Sequence, residues 1–166
     1  GFVVGLAAVY FLWSYWESGG RAKLFYAGFL TAILPLVHTH SFVTVSMAAG
    51  FLFLIALYKT PRDWRKIIGD WFCFLLPVAV LGLPQMFMIF PWGREGFLRF
   101  KFGWMKGGES LVWFWVKNIS PHIFIFLWAW FRARPEVRSF YLAFWGVFVV
   151  ANLLVFEPYD FNNSKF

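Results

Sequence analysis

The chain has 166 residues, of which 61% are hydrophobic, 25% are aromatic and only 14% are charged. Soluble domains are nearer half apolar and a quarter charged, so this chain holds more apolar surface than a small globule buries, and membrane lipid is its expected partner. The net charge of +7 is spread over short gaps between apolar runs, which excludes a nucleic-acid-binding class and is typical of a membrane protein.

The first apolar runs predict helices separated by polar breaks. Residues 1–16 form one run, and residues 17–23 end it with glycines and charges. Residues 24–58 then hold no Asp, Glu, Lys or Arg over 35 positions. A single helix of that length would measure about 52 Å, whereas the hydrocarbon core of a bilayer is about 30 Å thick. The stretch must therefore break or fold back.

Pro35 and the polar run 38–41 mark the expected break, because proline and short polar runs interrupt helices. We therefore predict two helices, near 24–36 and 41–58, that are joined by a His-Thr-His turn.

The second half of the chain repeats this alternation of apolar runs and polar gaps. Its elements are a basic loop at 59–66, a span at 70–90, a polar segment at 91–110, an apolar segment at 111–131, a basic loop at 132–138 and a last span at 139–156. Ser120 and Pro121 suit a helix start, so a helix is predicted to restart at Pro121 after a shorter piece at 110–117.

These elements predict an all-α fold, a polytopic transmembrane helix bundle of about six hydrophobic helices that include short or broken ones. Residues 1–166 form a single transmembrane region. The chain begins inside an apolar run at Gly1 and ends just after a loop. We therefore expect it to be a fragment of a longer membrane protein.

The distribution of basic residues predicts which loops share a side of the membrane. With a hairpin at 24–58, the loops 17–23, 59–69 and 132–138 lie together and hold nine basic residues. The other side holds six basic residues over more positions. The positive-inside rule then places the nine in the cytoplasm and the other polar segments outside. The predicted localisation is a multi-pass integral membrane protein, in the cell membrane if the source is prokaryotic.

His38 and His40 are the first candidate site, with three interpretations. The pair could bind a substrate or phosphate in a cavity, since ionisable groups within membranes are often functional. It could contribute to a metal site, but zinc takes three or four ligands, and nothing in the sequence places His122 nearby as a third. It could also be a polar turn that caps two helices. No cofactor is expected, and a divalent metal is left open.

Two further polar segments are candidates. Residues 157–165 follow the last span with two carboxylates, two amides and a lysine, which suits a sugar or phosphate and equally suits a membrane-exit loop. Four cations and five aromatic residues in 92–106 could cradle a lipid-linked pyrophosphate, meet lipid phosphates, or form an aromatic belt with snorkelling cations.

Three runs in the chain carry a resemblance to a known superfamily. They are Leu34–Phe42, Trp113–Asn118 and Phe156–Lys165. They resemble uncharacterised polytopic membrane proteins that are similar to the GT-C glycosyltransferase superfamily, which includes the dolichyl-phosphate-mannose protein mannosyltransferases. The closing run departs from the family pattern at Tyr159 and Phe161, where the family has tryptophan or neighbouring residue types.

The resemblance implies a membrane enzyme that moves a sugar from a polyprenyl-phosphate carrier to an acceptor on the extracytoplasmic face. The lipid-linked sugar donor would be a second partner. The catalytic carboxylate of the superfamily usually lies in the first outer loop, which would fall outside this chain, so the catalytic residue is unknown. The implied substrate-binding residues are His38 and His40 for the donor phosphate, Asp160 and Asn162 for hydroxyls, and Lys165 for phosphate.

Two other classes of protein fit the same residues. A transporter or flippase without chemistry also needs polar groups at a broken helix. A structural membrane subunit needs only lipid-facing helices.

Overall fold

The computed structural model describes residues 1–89, 99–119 and 122–155. The described residues form eight α-helices and two short strands. The helices are α1 (Phe2–Ser18), α2 (Arg21–Val37), α3 (Thr39–Lys59), α4 (Trp64–Pro77), α5 (Leu83–Ile89), α6 (Leu111–Ile119), α7 (His122–Arg132) and α8 (Pro135–Leu153), and the strands are β1 (Arg99–Phe100) and β2 (Leu154–Val155). Short 3-10 turns occupy Pro61–Asp63 and Trp104–Lys106, and a π-helical turn, Val78–Gly82, joins α4 to α5.

The predicted break between the second and third helices is confirmed. α2 ends at Val37, His38 alone is extended with φ −165° and ψ 91°, and α3 begins at Thr39. The turn is shorter than predicted because Thr39 and His40 already belong to the first turn of α3.

Helix α2 lies at the centre of the bundle and packs against α1, α3, α4 and the π turn. Its buried face includes Leu24, Ala27, Thr31 and Leu34, each fully enclosed. Close approach is possible at Gly28, whose missing Cβ would lie 2.3 Å from the backbone oxygen of Phe74. Small residues at such a crossing let two helix backbones approach each other.

Among the described residues, two helical stretches are long and apolar enough to cross a membrane. They are Thr39–Lys59 and Pro61–Ile89, and the second runs continuously through α4, the π turn and α5. A third is added if α6 and α7, bent by 82° relative to each other, count as one broken span. The all-α prediction is thereby confirmed with two or three membrane-length helices, and the count of six stays a prediction.

The three basic loops meet at one end of the bundle, called the basic end from here on. The indole Nε1 of Trp16 donates to the backbone oxygen of Glu136 at 3.0 Å. The Lys59 ammonium lies 5.9 Å from the centre of the Trp16 ring, and Arg134 pairs with Glu17 at 3.3 Å. These contacts join loops 17–23, 59–69 and 132–138, as the hairpin at 24–58 predicted.

An ion pair strengthens the basic end. Arg21 Nε lies 2.5 Å from Oδ1 of Asp70, whose side chain is 12% exposed. Asp70 is the one acidic side chain in the core of the described residues, and the first residue of α2 neutralises it there. The guanidinium itself reaches solvent, so the pair ties α2 to α4 where the bundle meets water.

The opposite end, called the polar end, gathers the His38 turn, residues 99–115 and strand β2. α1 and α3 are parallel, because Gly1 lies against His38 and Gly5 against Ser41 while their other ends meet at Trp16 and Lys59. α8 starts at the basic end and packs along α3, so its last turn also reaches the polar end.

Candidate functional site

The His38 side chain caps helix α3. Its Nδ1 accepts a hydrogen bond from the backbone N–H of Ser41 at 3.3 Å and lies 2.8 Å from the Ser41 hydroxyl. An acceptor on the N-cap side chain satisfies one of the free N–H groups of the first turn. Because Nδ1 is the acceptor, the neutral imidazole carries its proton on Nε2. The capping interpretation of this turn is therefore confirmed for His38.

His38 and His40 also come together. Their ring centroids are 5.6 Å apart and the rings are tilted by 47°. Residues two apart in a helix point to opposite sides, but His38 is extended, and this lets its ring swing toward His40. His38 is exposed and His40 is half-buried, so the pair presents one accessible imidazole beside a partly enclosed one.

The metal interpretation gains no third ligand in the described part of the chain. No group of three or more His, Cys, Asp or Glu side chains there is arranged to hold a metal ion.

Residues 99–115, called the capping segment, close the C-terminal end of α8. The last four carbonyls of an α-helix lack partners within the helix. Here the carbonyl of Leu153 accepts from the Lys101 N–H at 2.9 Å, that of Asn152 from the Gly103 N–H at 2.9 Å, and that of Ala151 from the Trp104 indole at 2.8 Å. The carbonyl of Val150 accepts from the Leu154 N–H. All four are thereby satisfied.

Asn152 is the central residue of this arrangement, and only 7% of its surface is exposed. Its Oδ1 accepts from the Trp115 indole at 2.9 Å, and its Nδ2 donates to the Phe148 carbonyl at 2.8 Å. The Trp115 ring also packs on Phe148, with centroids 4.6 Å apart. One buried amide thus fixes α6 to α8.

The cations of the capping segment differ in their environments. Lys117, just beyond the segment, pairs with Glu109 at 2.6 Å, and Lys106 Nζ donates to the backbone oxygen of Glu109 at 3.0 Å. Lys117 is exposed, whereas Lys106 is half-buried. The interpretation of Trp104 as a belt residue is incomplete, since its indole also binds α8.

The ladder between β1 and β2 contains the last described residues of the chain. Arg99 pairs with Val155 and Phe100 with Leu154 in an antiparallel register. Asp160, Asn162 and Lys165 lie outside the described residues, and the chain that carries them continues from Val155.

Gln85 is a polar residue that the sequence reasoning did not single out. Its Nε2 donates to the carbonyls of Ala32 at 3.2 Å and Leu81 at 2.8 Å, which ties α5 to α2. Its buried Oε1 accepts no hydrogen bond from the described residues. In the sequence, Gln85 and Asn152 each stand out only as a single amide side chain within an apolar span.

Comparison with known proteins gives no relative. No protein-family model, no curated protein and no solved structure matches this chain. The resemblance to the GT-C superfamily therefore rests on the three runs of residues named above.

Proposed function

We propose that the chain is a multi-pass integral membrane region whose basic end lies in the cytoplasm and whose polar end lies outside. Nine basic residues lie in the three loops that meet at the basic end, and cytoplasmic loops carry such an excess. The described helices of membrane length connect the two ends. Multi-pass insertion accounts for the many large apolar side chains on the surface of α4, α5, α7 and α8.

We further propose that the protein is a glycosyltransferase that uses a polyprenyl-phosphate-linked sugar donor at the polar end. The observation that supports this proposal is the position of the capping segment, whose Lys101 and Lys106 lie at the polar end, where α8 finishes. The His38 and His40 rings lie at the same end.

The reaction would be an inverting transfer. The acceptor hydroxyl attacks the anomeric carbon, the bond from that carbon to the phosphate oxygen breaks, and the phosphate leaves with the electron pair. A carboxylate, which is not assigned to a residue, would take the hydroxyl proton as general base. Within the chain, Lys165 and the Nε2–H of His38 would stabilise the charge that develops on the phosphate, while Asp160 and Asn162 would hold hydroxyls.

A transporter or flippase without chemistry is the second candidate. The 82° break between α6 and α7 favours it, because substrate sites in transporters are typically built at discontinuous helices. It shares the proposed membrane placement and differs only in whether a covalent bond is broken.

The proposal is tested by sugar transfer from polyprenyl-phosphate donors, measured with the full-length protein in membranes. We expect Asp160→Asn and His40→Ala each to lower transfer about tenfold, which corresponds to the loss of about 1.4 kcal/mol of transition-state stabilisation. His38→Asn keeps a capping acceptor, so a tenfold loss there would report the imidazole rather than the helix end.

Arg62→Gln is the matched control, because Arg62 is exposed at the basic end. Its transfer rate should equal that of the wild type. Absence of transfer from every donor, or transfer that is indifferent to the three polar-end changes, would reject the enzyme and favour the transporter.

A further inference from the structure

The structure contains an apolar groove that the proposed function does not use. It lies between α7 and α8, has a volume of about 540 Å³, and is lined mainly by aromatic and aliphatic side chains. The lining includes Phe126, Trp130, Tyr141 and Trp145. A smaller cavity of about 190 Å³ shares three of its residues and extends the groove along α8 to Phe148.

The groove has a cation at its basic end. Arg138 lines it there, half-buried, and its guanidinium is held by two backbone carbonyls, Ala133 O at 2.9 Å and Phe131 O at 3.0 Å. These bonds use two of the five guanidinium N–H groups, so donors remain for a phosphate. Arg132 lies in the same loop. Arg134 is paired with Glu17. Glu136 adds one negative charge nearby.

The charge and lining of the groove indicate its occupant. From Arg138 to Phe148 the groove follows ten residues of α8, or roughly 15 Å. Its walls are apolar, and the one cation among its described lining residues is Arg138 at the basic end. An apolar chain with an anionic group at one end is complementary to both features.

We propose that this groove binds an anionic phospholipid of the cytoplasmic leaflet, with an acyl chain between α7 and α8 and the phosphate at Arg138. Basic pockets between helices at the cytoplasmic side are a known setting for anionic lipid head groups. The proposal rests on the membrane placement given above and is independent of sugar transfer. The lipid would hold α7, most of whose side chains are exposed, against α8.

The test is native mass spectrometry of the full-length detergent-solubilised protein, titrated with phosphatidylglycerol or phosphatidylcholine. The wild type should bind phosphatidylglycerol about fivefold more tightly, since one arginine contributes about 1 kcal/mol toward a lipid of net negative charge and the choline group of phosphatidylcholine offsets its phosphate. Arg138→Gln should remove this preference, whereas Arg62→Gln at the same end should keep it.

A second variant tests the groove and leaves Arg138 unchanged. Ala129 lines the groove and is exposed, so Ala129→Phe should fill it and weaken the binding of both lipids at an unchanged melting temperature. Equal binding of the two lipids by the wild type, a preference that persists in Arg138→Gln, or unchanged lipid binding in Ala129→Phe would overturn the proposal. Asp160→Asn should bind both lipids like the wild type, which separates failure of this site from failure of the enzyme.

Discussion

Gly28→Ala is expected to destabilise the bundle by at least about 3 kcal/mol, at the upper end of overpacking changes. The new Cβ would lie 2.3 Å from the oxygen and 2.8 Å from the Cα of Phe74. Ordinary carbon–oxygen contacts are about 3.3 Å or longer. The clash is with backbone rather than with a flexible side chain, so α2 and α4 must separate by about 1 Å.

Gly50→Ala is the matched control for this change. Gly50 lies inside α3, and a Cβ there would meet nothing within 4 Å. Alanine favours a helix over glycine by about 0.8–1 kcal/mol, so this variant should melt at or slightly above the wild-type temperature. Thermal unfolding of both variants in detergent is the measurement. Equal melting temperatures would mean that α2 and α4 do not cross at Gly28.

Asn152→Leu is expected to loosen the capping segment on α8. Leucine has a similar size but cannot accept from the Trp115 indole. The bond from Asn152 to Phe148 lies within α8 and does not hold the segment. The one lost hydrogen bond between the segment and α8 corresponds to about 1 kcal/mol. The open fraction of the segment should then rise roughly fivefold. Trypsin cleavage after Lys101 and Lys106 measures this fraction when opening is fast relative to cleavage.

Asn118→Ala is the control for the proteolysis experiment. Asn118 is also a helical asparagine, in α6 rather than α8, but it is exposed and its Nδ2 donates only locally, to Phe114 O at 2.7 Å. Its cleavage rate should stay within about twofold of the wild type, as expected for an exposed position. A rate for Asn152→Leu no higher than for Asn118→Ala would show that the amide does not hold the segment.

The sequence predicted the helical hairpin because its signals are local. A charge-free stretch that is too long for one span must break, and Pro35 and His38 marked the position of the break. Counting the helices between the basic loops predicted that these loops lie at one end of the bundle. The contacts of Trp16 with Lys59 and Glu136 agree with that prediction.

The arrangement at the polar end could not be read from the sequence. The indoles of Trp104 and Trp115 bond to residues 47 and 37 positions away, and no local pattern encodes such pairs. Tryptophan is common at membrane interfaces, so a belt was the simplest interpretation. The indole N–H of a tryptophan can equally donate to the unpaired carbonyls at the end of a helix, as the Trp104 indole does here.

The course of the span Pro61–Ile89 could not be read from the sequence either. Its two prolines, Pro77 and Pro84, lack the N–H groups that continue a helix, and they flank a π-helical turn at 78–82. This turn keeps the helix continuous from 61 to 89 rather than ending it. Proline positions predict that a helix is perturbed, and the surrounding packing decides how the perturbation is accommodated.

The central claim is that the basic end and the polar end lie on opposite sides of a membrane. Labelling with a membrane-impermeant maleimide tests it in intact cells that carry the full-length protein in a Cys73→Ala background. Gly108→Cys places a thiol in the exposed capping segment, and Arg62→Cys places one in an exposed basic loop. We expect labelling of the first in intact cells and of the second only after permeabilisation. Labelling of both in intact cells, or of the basic loop alone, would contradict it.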